Sequence, residues 1–351
     1  MKILYLYAEV MGYTIATIRE LSECGNEVHV VHWDHKKLTP YTAPVIPNVF
    51  MYNRSELTVK EISSLAINLE PSVTVVSGWM DRGYMHVAKL LRNKGLPVVI
   101  GLDSHWRGSL SQWVTLILGR FGYFSRFYSH AWVAGLYQFE YARRLGFKKS
   151  EIIYDLYSAD LRLFSKAYND SIENKQKNYP HRFLFVGRLE PIKGLDMLLQ
   201  AWEQLGKERC DWELHLIGNG SLKVQLEAAV GVVVKDFMQP EQLMQEVVHS
   251  GCFVLPSRGE PWGVVVHEFA AAGLPLIVAD VVGSASTFLI SGLNGYTFKV
   301  NDSIGLKSRL LRIINASDKN LYTMAVSSHR LSKRIKPETS AGNLLSVVNY
   351  E

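Results

Sequence analysis

Glu260 and Glu268 bracket seven residues in Glu260-Pro-Trp-Gly-Val-Val-Val-His-Glu268, where an apolar run gives way to a helix. Upstream, Cys252-Phe-Val-Leu-Pro-Ser is β-branched and aromatic, as a buried strand would be. Downstream, Phe269-Ala-Ala-Ala-Gly-Leu-Pro reads as a small-residue helix with a Gly-x-Pro stop. A helix opening near Gly263 points its first N–H groups, including those of Val264 and Val265, into the gap beyond the strand. The positive end of its dipole suits an anion or a row of sugar hydroxyls. One carboxylate precedes the helix and the other lies more than a turn inside it, so the two can reach different parts of one elongated ligand. In isolation, such a pair is more often a helix-start acid and a solvated helix residue.

A second cluster lies upstream, in Phe185-Val-Gly187-Arg188-Leu-Glu-Pro-Ile-Lys193-Gly194. A strand ends at Gly187, a loop carries the two cations, and a helix opens at Gly194. Arg188 and Lys193 placed there can hold a diphosphate, one by a fork of hydrogen bonds and the other as a mobile point charge. A departing nucleoside diphosphate gains negative charge as its bond to sugar breaks, so fixed cations stabilise the transition state more than the ground state. The ordinary alternative is a pair of solvated loop cations.

These groups need elements to place them. Ile3–Tyr7, Val28–Trp33, Val73–Val76, Val98–Leu102 and Ala131–Ala134 read as buried strands, and Thr14–Cys24, Ile62–Leu69 and Tyr84–Asn93 have helical spacing. The rhythm breaks in polar Ser165–Pro180, expected to be a linker, and then restarts. Phe183–Val186, Trp212–Ile217, Gly231–Val234, Cys252–Leu255 and Leu276–Ala279 are the later strands. Gly194–Leu205, Leu222–Ala229, Pro240–Val248 and Gly263–Ala272 are the helices among them. Such alternation predicts an α/β protein of two doubly wound parallel sheets, with helices on both faces of each and a cleft between them as the default site. The expected domains are 1–165, a linker at 166–180, 181–334, and a C-terminal helix within 335–351 that crosses back to the first domain.

With both clusters in view, the second half resembles glycosyltransferase family 4. The likeness is carried by Val186-Gly-Arg-Leu-x-x-x-Lys-Gly194, Leu216-Ile-Gly-Asn-Gly220, Val254-Leu-Pro-Ser257 leading to Glu260 and Glu268, and Gly292-Leu-Asn-Gly295-Tyr-Thr-Phe. The resemblance implies the GT-B architecture and retaining, metal-independent transfer from a nucleotide sugar. It implies that Glu268 holds the ribose hydroxyls. Glu260, with the N–H groups of Gly263, Val264 and Val265, would hold the donor sugar, and Arg188 and Lys193 the diphosphate beside Gly187. The base would lie near Gly218 and Phe237. Two departures stand out: Met238 follows Phe237 where the family usually has glycine, and Pro261-Trp262 intervenes before Gly263.

The first half resembles the family more weakly. Gly12 is the one glycine left in Ala8–Thr14, where the family has a glycine-rich turn against the diphosphate; it is equally an ordinary turn glycine. His105, in Asp103-Ser-His105-Trp-Arg107, matches the position of a histidine that touches the donor sugar; a structural histidine at a strand end is the alternative. Asp103 and Arg107 are candidates for the acceptor side. Retention by same-face attack, with the leaving phosphate oxygen taking the acceptor's proton, follows from the resemblance alone.

Composition narrows the rest. A net charge of +5 over 351 residues lacks the dense basic stripes of a nucleic-acid binder. Cys24, Cys210 and Cys252 are isolated, which argues against a disulfide or zinc framework and for a reducing compartment; Cys24 and Cys252 are expected to be buried. No Asp-x-Asp motif occurs, so no metal is expected, and no cofactor beyond the nucleotide-sugar substrate. Without a leader pattern or a long apolar run, the protein is expected to be cytoplasmic. Trp113–His130, aromatic with interleaved arginines, suits a lipid-linked acceptor or peripheral contact with the inner face of an anionic plasma membrane; a core helix with a packed loop is the alternative. The leading reading is therefore a transferase moving sugar from a UDP- or GDP-sugar to a glycan or lipid-linked acceptor in surface polysaccharide or lipopolysaccharide synthesis. The alternatives are an inactive donor-binding scaffold and a sugar-nucleotide epimerase on the same fold.

Overall fold

The computed structural model describes residues 1–34 and 40–348. They form two compact units, one of Met1–Ser158 with the chain from Ile335 onward, the other of Ala159–Arg334.

In the first unit the chain runs β1 (Lys2–Tyr7), α1 (Gly12–Glu23), β2 (Glu27–His32), β3 (Val49–Asn53), α2 (Val59–Leu69), β4 (Val73–Val76), α3 (Arg82–Asn93), β5 (Val98–Leu102), α4 (Leu110–Arg120), β6 (His130–Val133), α5 (Leu136–Arg144) and β7 (Ile152–Ile153). Among the described residues these strands make a seven-stranded sheet in the order β3-β2-β1-β4-β5-β6-β7. Every paired strand is parallel. A parallel sheet is covered on both faces, which is why β4 (Val-Thr-Val-Val) is buried at every position. One face packs Leu4, Leu6, Val76, Ile100 and Val133 against Tyr84, Val87 and Leu91 of α3. Helix starts are fixed by side chains: Asp81 accepts from the N–H groups of Gly83 and Tyr84 at 2.7 and 3.1 Å, and Thr58 with Glu61 closes a capping box. Cys24 is exposed rather than buried, because it caps the end of α1.

The second unit runs α6 (Leu161–Lys177), β8 (Arg182–Val186), α7 (Leu195–Leu205), β9 (Glu213–Ile217), α8 (Lys223–Glu227), β10 (Val232–Lys235), α9 (Pro240–Val248), β11 (Cys252–Leu255), α10 (Val264–Ala271), β12 (Leu276–Ala279), α11 (Ala285–Phe288), β13 (Gly295–Phe298), α12 (Ser303–Ile314) and α13 (Asp318–Ser332). Its six-stranded sheet has the order β10-β9-β8-β11-β12-β13, again parallel. The chain then rejoins the first unit as α14 (Pro337–Ser346), which packs on α1. There Ser340 donates to the carbonyl of Asp155 at 2.6 Å and Asn343 to that of Tyr154 at 3.0 Å. Residues 349–351 of the expected C-terminal segment lie outside the described residues.

The stretch expected as a linker, 166–180, is helical over most of its length and belongs to the second unit, whose boundary falls at Ser158/Ala159 rather than at 165. The physical reason is a buried stripe of unlike residues. Asp160 caps α6, and Phe164, Ala167, Ser171 and Lys175 recur on one face, with Phe164 edge-on to Phe269 at 6.0 Å. Two of those four are polar, so the stripe does not read as apolar in sequence. Tyr179 then anchors the exit, donating to the Gly251 carbonyl at 2.9 Å.

Candidate active site

In both sheets the strand order reverses beside a central strand, and in open parallel sheets the ligand crevice lies at the carboxyl ends next to that reversal. In the second unit the reversal falls between β8 and β11. The loops that leave these two strands carry the two sequence clusters. They are joined there by an ion pair between Lys193 Nζ and Glu260 Oε2, with both side chains mostly buried at 16% and 17% exposure.

Close backbone packing holds this junction in place. Gly194 takes a left-handed φ of 69°, and a Cβ there would sit 2.1 Å from the carbonyl oxygen of Pro256. Only glycine allows this approach of the Lys193 turn to the β11 loop. Gly218, after β9, is equally constrained: its φ is 147°, and a Cβ would lie 1.9 Å from the Gly187 carbonyl oxygen. Two of the glycines expected at the donor site, Gly187 and Gly218, thus back against each other where β8 and β9 end. On the other side, the N–H groups of Gly283 and Ser284 donate to the carbonyls of Glu260 and Trp262 at 3.3 and 2.9 Å, and Ser284 Oγ donates to Gly263 O at 2.8 Å. Trp262, absent from the family pattern, is buried, so Pro261-Trp262 acts as a wedge beneath the loop.

Sequence reasoning missed Arg258. It donates to both carboxylate oxygens of Asp196 at 2.7 Å, to Pro191 O at 2.6 Å and to Asn301 at 2.8 Å, while its own N–H donates to Ile192 O at 2.8 Å. This fork ties the turn bearing Lys193 to the loop bearing Glu260. Asp196 is held low by Arg258, first through their hydrogen bonds. A hint existed in the arginine two residues before Glu260, but its partner is 62 residues away.

Gly263 is the left-handed N-cap of α10, with φ 85° and ψ 69°. The next N–H groups, of Val264 and Val265, open the helix and have no place in its internal ladder. Glu268 lies one turn further on. It keeps partial solvent access, yet burial of its carboxyl, reinforced by the charge of Asp160, pushes it up to about 7. Beside it His267 is fully buried: Ala159 N–H donates to Nδ1 at 3.0 Å, so the ring proton sits on Nε2 and is donated to Ser332 O at 2.8 Å. Burial pushes this histidine down to about 3, keeping it neutral. Arg188 makes no hydrogen bond or close ion pair among the described residues, so its guanidinium remains available to a ligand. Phe237, half-buried, follows β10, where Lys223 anchors the loop through Asp236 at 2.7 Å. The Gly292–Phe298 stretch is structural: Asn294 is buried and bonds Phe288 O and Ser328, and Gly295 presses on Leu276 O where β13 joins β12.

In the first unit, Asp103, His105 and Arg107 lie on one loop after β5. Gln112 of α4, also missed, shapes that loop by donating to His105 O at 2.8 Å and accepting from Arg107 N–H at 2.7 Å. Tyr157 donates to Asp103 at 3.4 Å and packs edge-on to Tyr13 at 4.7 Å. Gly12 is the first residue of α1, and a Cβ there would meet nothing closer than Tyr41 Oη at 3.9 Å. The fold itself therefore does not demand glycine at this turn. Among the described residues no group of three or more His, Cys, Asp or Glu side chains could hold a metal ion.

Residues 180–316, which contain the whole switch-point site, match the family described as Glycosyl transferases group 1. That stretch of the chain resembles a group 1 glycosyl transferase domain. The chain is also similar to other proteins over part of its length. An uncharacterized glycosyltransferase of Methanocaldococcus jannaschii is 30% identical over 164 residues, 44% of each chain. A D-inositol 3-phosphate glycosyltransferase of Thermobispora bispora is 27% identical over 180 residues, 47% of this chain and 42% of that one. The matches thus span less than half the length of these relatives. Among solved structures, HepE of Anabaena in complex with UDP-glucose superposes with a TM-score of 0.74 at 16% identity, covering 100% of both chains. Sucrose-phosphate synthase of Thermosynechococcus elongatus does so with 0.74 at 17%, covering 99% and 98%. The two units therefore have the GT-B fold of two parallel-sheet α/β domains.

Proposed function

We propose that this protein transfers a sugar, with retention and without a metal, from a UDP- or GDP-sugar to a hydroxyl of a glycan or lipid-linked acceptor. The observation that carries the reading is the Lys193–Glu260 pair at the β8/β11 reversal, with the start of α10 beside it. The pair holds both charges in place before a ligand arrives. A diphosphate competes for Lys193, and sugar hydroxyls compete for the carboxylate so released. Arg188 adds a fork to the phosphate oxygens. Val264 and Val265 offer N–H groups to a sugar hydroxyl or phosphate, and Glu268, once ionised, accepts from two ribose hydroxyls. As the glycosidic bond to phosphate lengthens, charge accumulates on the departing diphosphate, where Lys193 and Arg188 stabilise it. The acceptor hydroxyl attacks from the same face and gives its proton to that phosphate oxygen. HepE, a structural neighbour, is seen with UDP-glucose, which supports a nucleotide-sugar donor.

The test is turnover with UDP- and GDP-sugars in the presence of EDTA. Lys193→Ala is expected to lower kcat/KM about 100- to 1000-fold, and Glu260→Gln to raise the requirement for donor, each in protein that still folds by circular dichroism. A folded wild type that binds UDP yet transfers nothing from any donor would instead support a scaffold role.

A further inference from the structure

Helix α4 is turned inside out. Leu110, Trp113, Val114, Ile117, Leu118 and Phe121 follow the spacing that normally faces a core. Here all six are exposed, from 45% for Leu118 to 87% for Leu110. The buried contact belongs instead to Gly119, where a Cβ would lie 2.4 Å from Leu145 O, so the helix lies with its end against the last turn of α5. A continuous apolar stripe of this length is unusual on a protein surface and marks a docking face.

The charge around it selects the occupant. No Asp or Glu occurs between Asp103 and Glu140. Exposed Arg107 precedes the helix, Arg120 ends it and Arg126 follows it. Arg144 of α5 lies over the Trp106 ring at 5.0 Å, and Trp106 is edge-on to Trp113 at 5.1 Å, which places a further cation beside the stripe. A second copy of the chain would bring the same positive charge to the contact. An apolar stripe framed by cations fits the surface of an anionic bilayer, with the stripe in the acyl boundary and the guanidinium groups at the headgroups. We infer that α4 is an interfacial helix that docks this protein on an anionic membrane. No helix among the described residues is long and apolar enough to cross one, so the contact lies in the interfacial plane.

The experiment is co-sedimentation of the full chain with vesicles of phosphatidylcholine alone or with phosphatidylserine. The wild type is expected to partition at least tenfold more strongly onto the anionic vesicles, and 0.5 M salt to release it. The variant Leu110→Ser/Ile117→Ser/Phe121→Ser is expected to lose at least tenfold in partition, with melting temperature and UDP binding unchanged, because these side chains are exposed. Wild-type protein that stays in the supernatant, equal binding to neutral vesicles, or equal binding by the variant would each overturn the inference. So would a dimer in solution that the variant converts to monomer. Vesicle binding is read without turnover, so failure of the transferase reading leaves this outcome untouched.

Discussion

Lys175 is a costly side chain in the second unit. It lies on the buried stripe of α6, a helix packed against α9, α10 and α13, and is 2% exposed. Its Nζ has no hydrogen-bond partner among the described residues. Burial pushes the amine down from 10.5 to about 7. The sign follows from linkage. The unfolded chain holds this proton up to about pH 10.5 and the folded chain only to about 7. The penalty is therefore fully present below pH 7 and disappears as pH rises toward 10.5. Worked from those two values, it is about 4 kcal/mol at pH 7 and about 2 kcal/mol at pH 9. Lys175→Met keeps an unbranched chain of similar length and removes the amine. The variant is expected to melt roughly 8–16 °C higher at pH 7, since each kcal/mol moves a domain of this size by about 2–4 °C. At pH 9 the gain should halve. The assay is scanning calorimetry of both proteins at the two pH values, following the transition of the second unit. A variant no more stable than wild type at pH 7, or a gain that does not shrink at pH 9, would refute the reasoning and place the amine in water.

Two further predictions concern the site. Glu268, held up to about 7, is half-protonated near neutral pH in the unliganded protein. If the carboxylate is the form that accepts ribose hydroxyls, UDP should bind about tenfold tighter at pH 8 than at pH 6, a slope that calorimetric titration should find absent in Glu268→Gln. Arg258→Lys keeps the charge but cannot reproduce the fork to Asp196; kcat/KM is expected to fall about tenfold or more with KM for the donor little changed, and an equal loss in Asp196→Asn measured by the same kinetics would locate the effect in the clamp.

The second unit was the more legible half in sequence because its chemistry lies close to its glycines. Gly194 and Gly218 mark places where backbones nearly touch, and Gly187 and Gly263 take positive φ beside the Phe185 and Glu260 side chains, so these motif glycines sit where the backbone needs them. β11 and β12 were readable to the residue because both are short, wholly buried apolar runs. Strands β3 and β7 were not: Val49–Asn53 is an edge with Phe50 and Met51 exposed, and β7 has only two residues. The helix α6 was hidden by the polar members of its buried stripe. The partners of Arg258 and His267 were out of reach for a different reason: each contact joins segments brought together only by the fold. The basic aromatic stretch after Trp113 was read as a surface for lipid, yet only coordinates reveal that the helix directs its apolar side outward.

The neutral His267 ring has a mechanical consequence. Its two nitrogens grip Ala159, the first residue of the second unit, and Ser332, two residues before the last. The helix that ends in Glu268's neighbourhood is thereby fastened to both points at which the polypeptide passes from one unit to the other. Because that imidazole stays uncharged near neutral pH, the same nitrogen accepts from Ala159 and the other donates to Ser332 throughout that range.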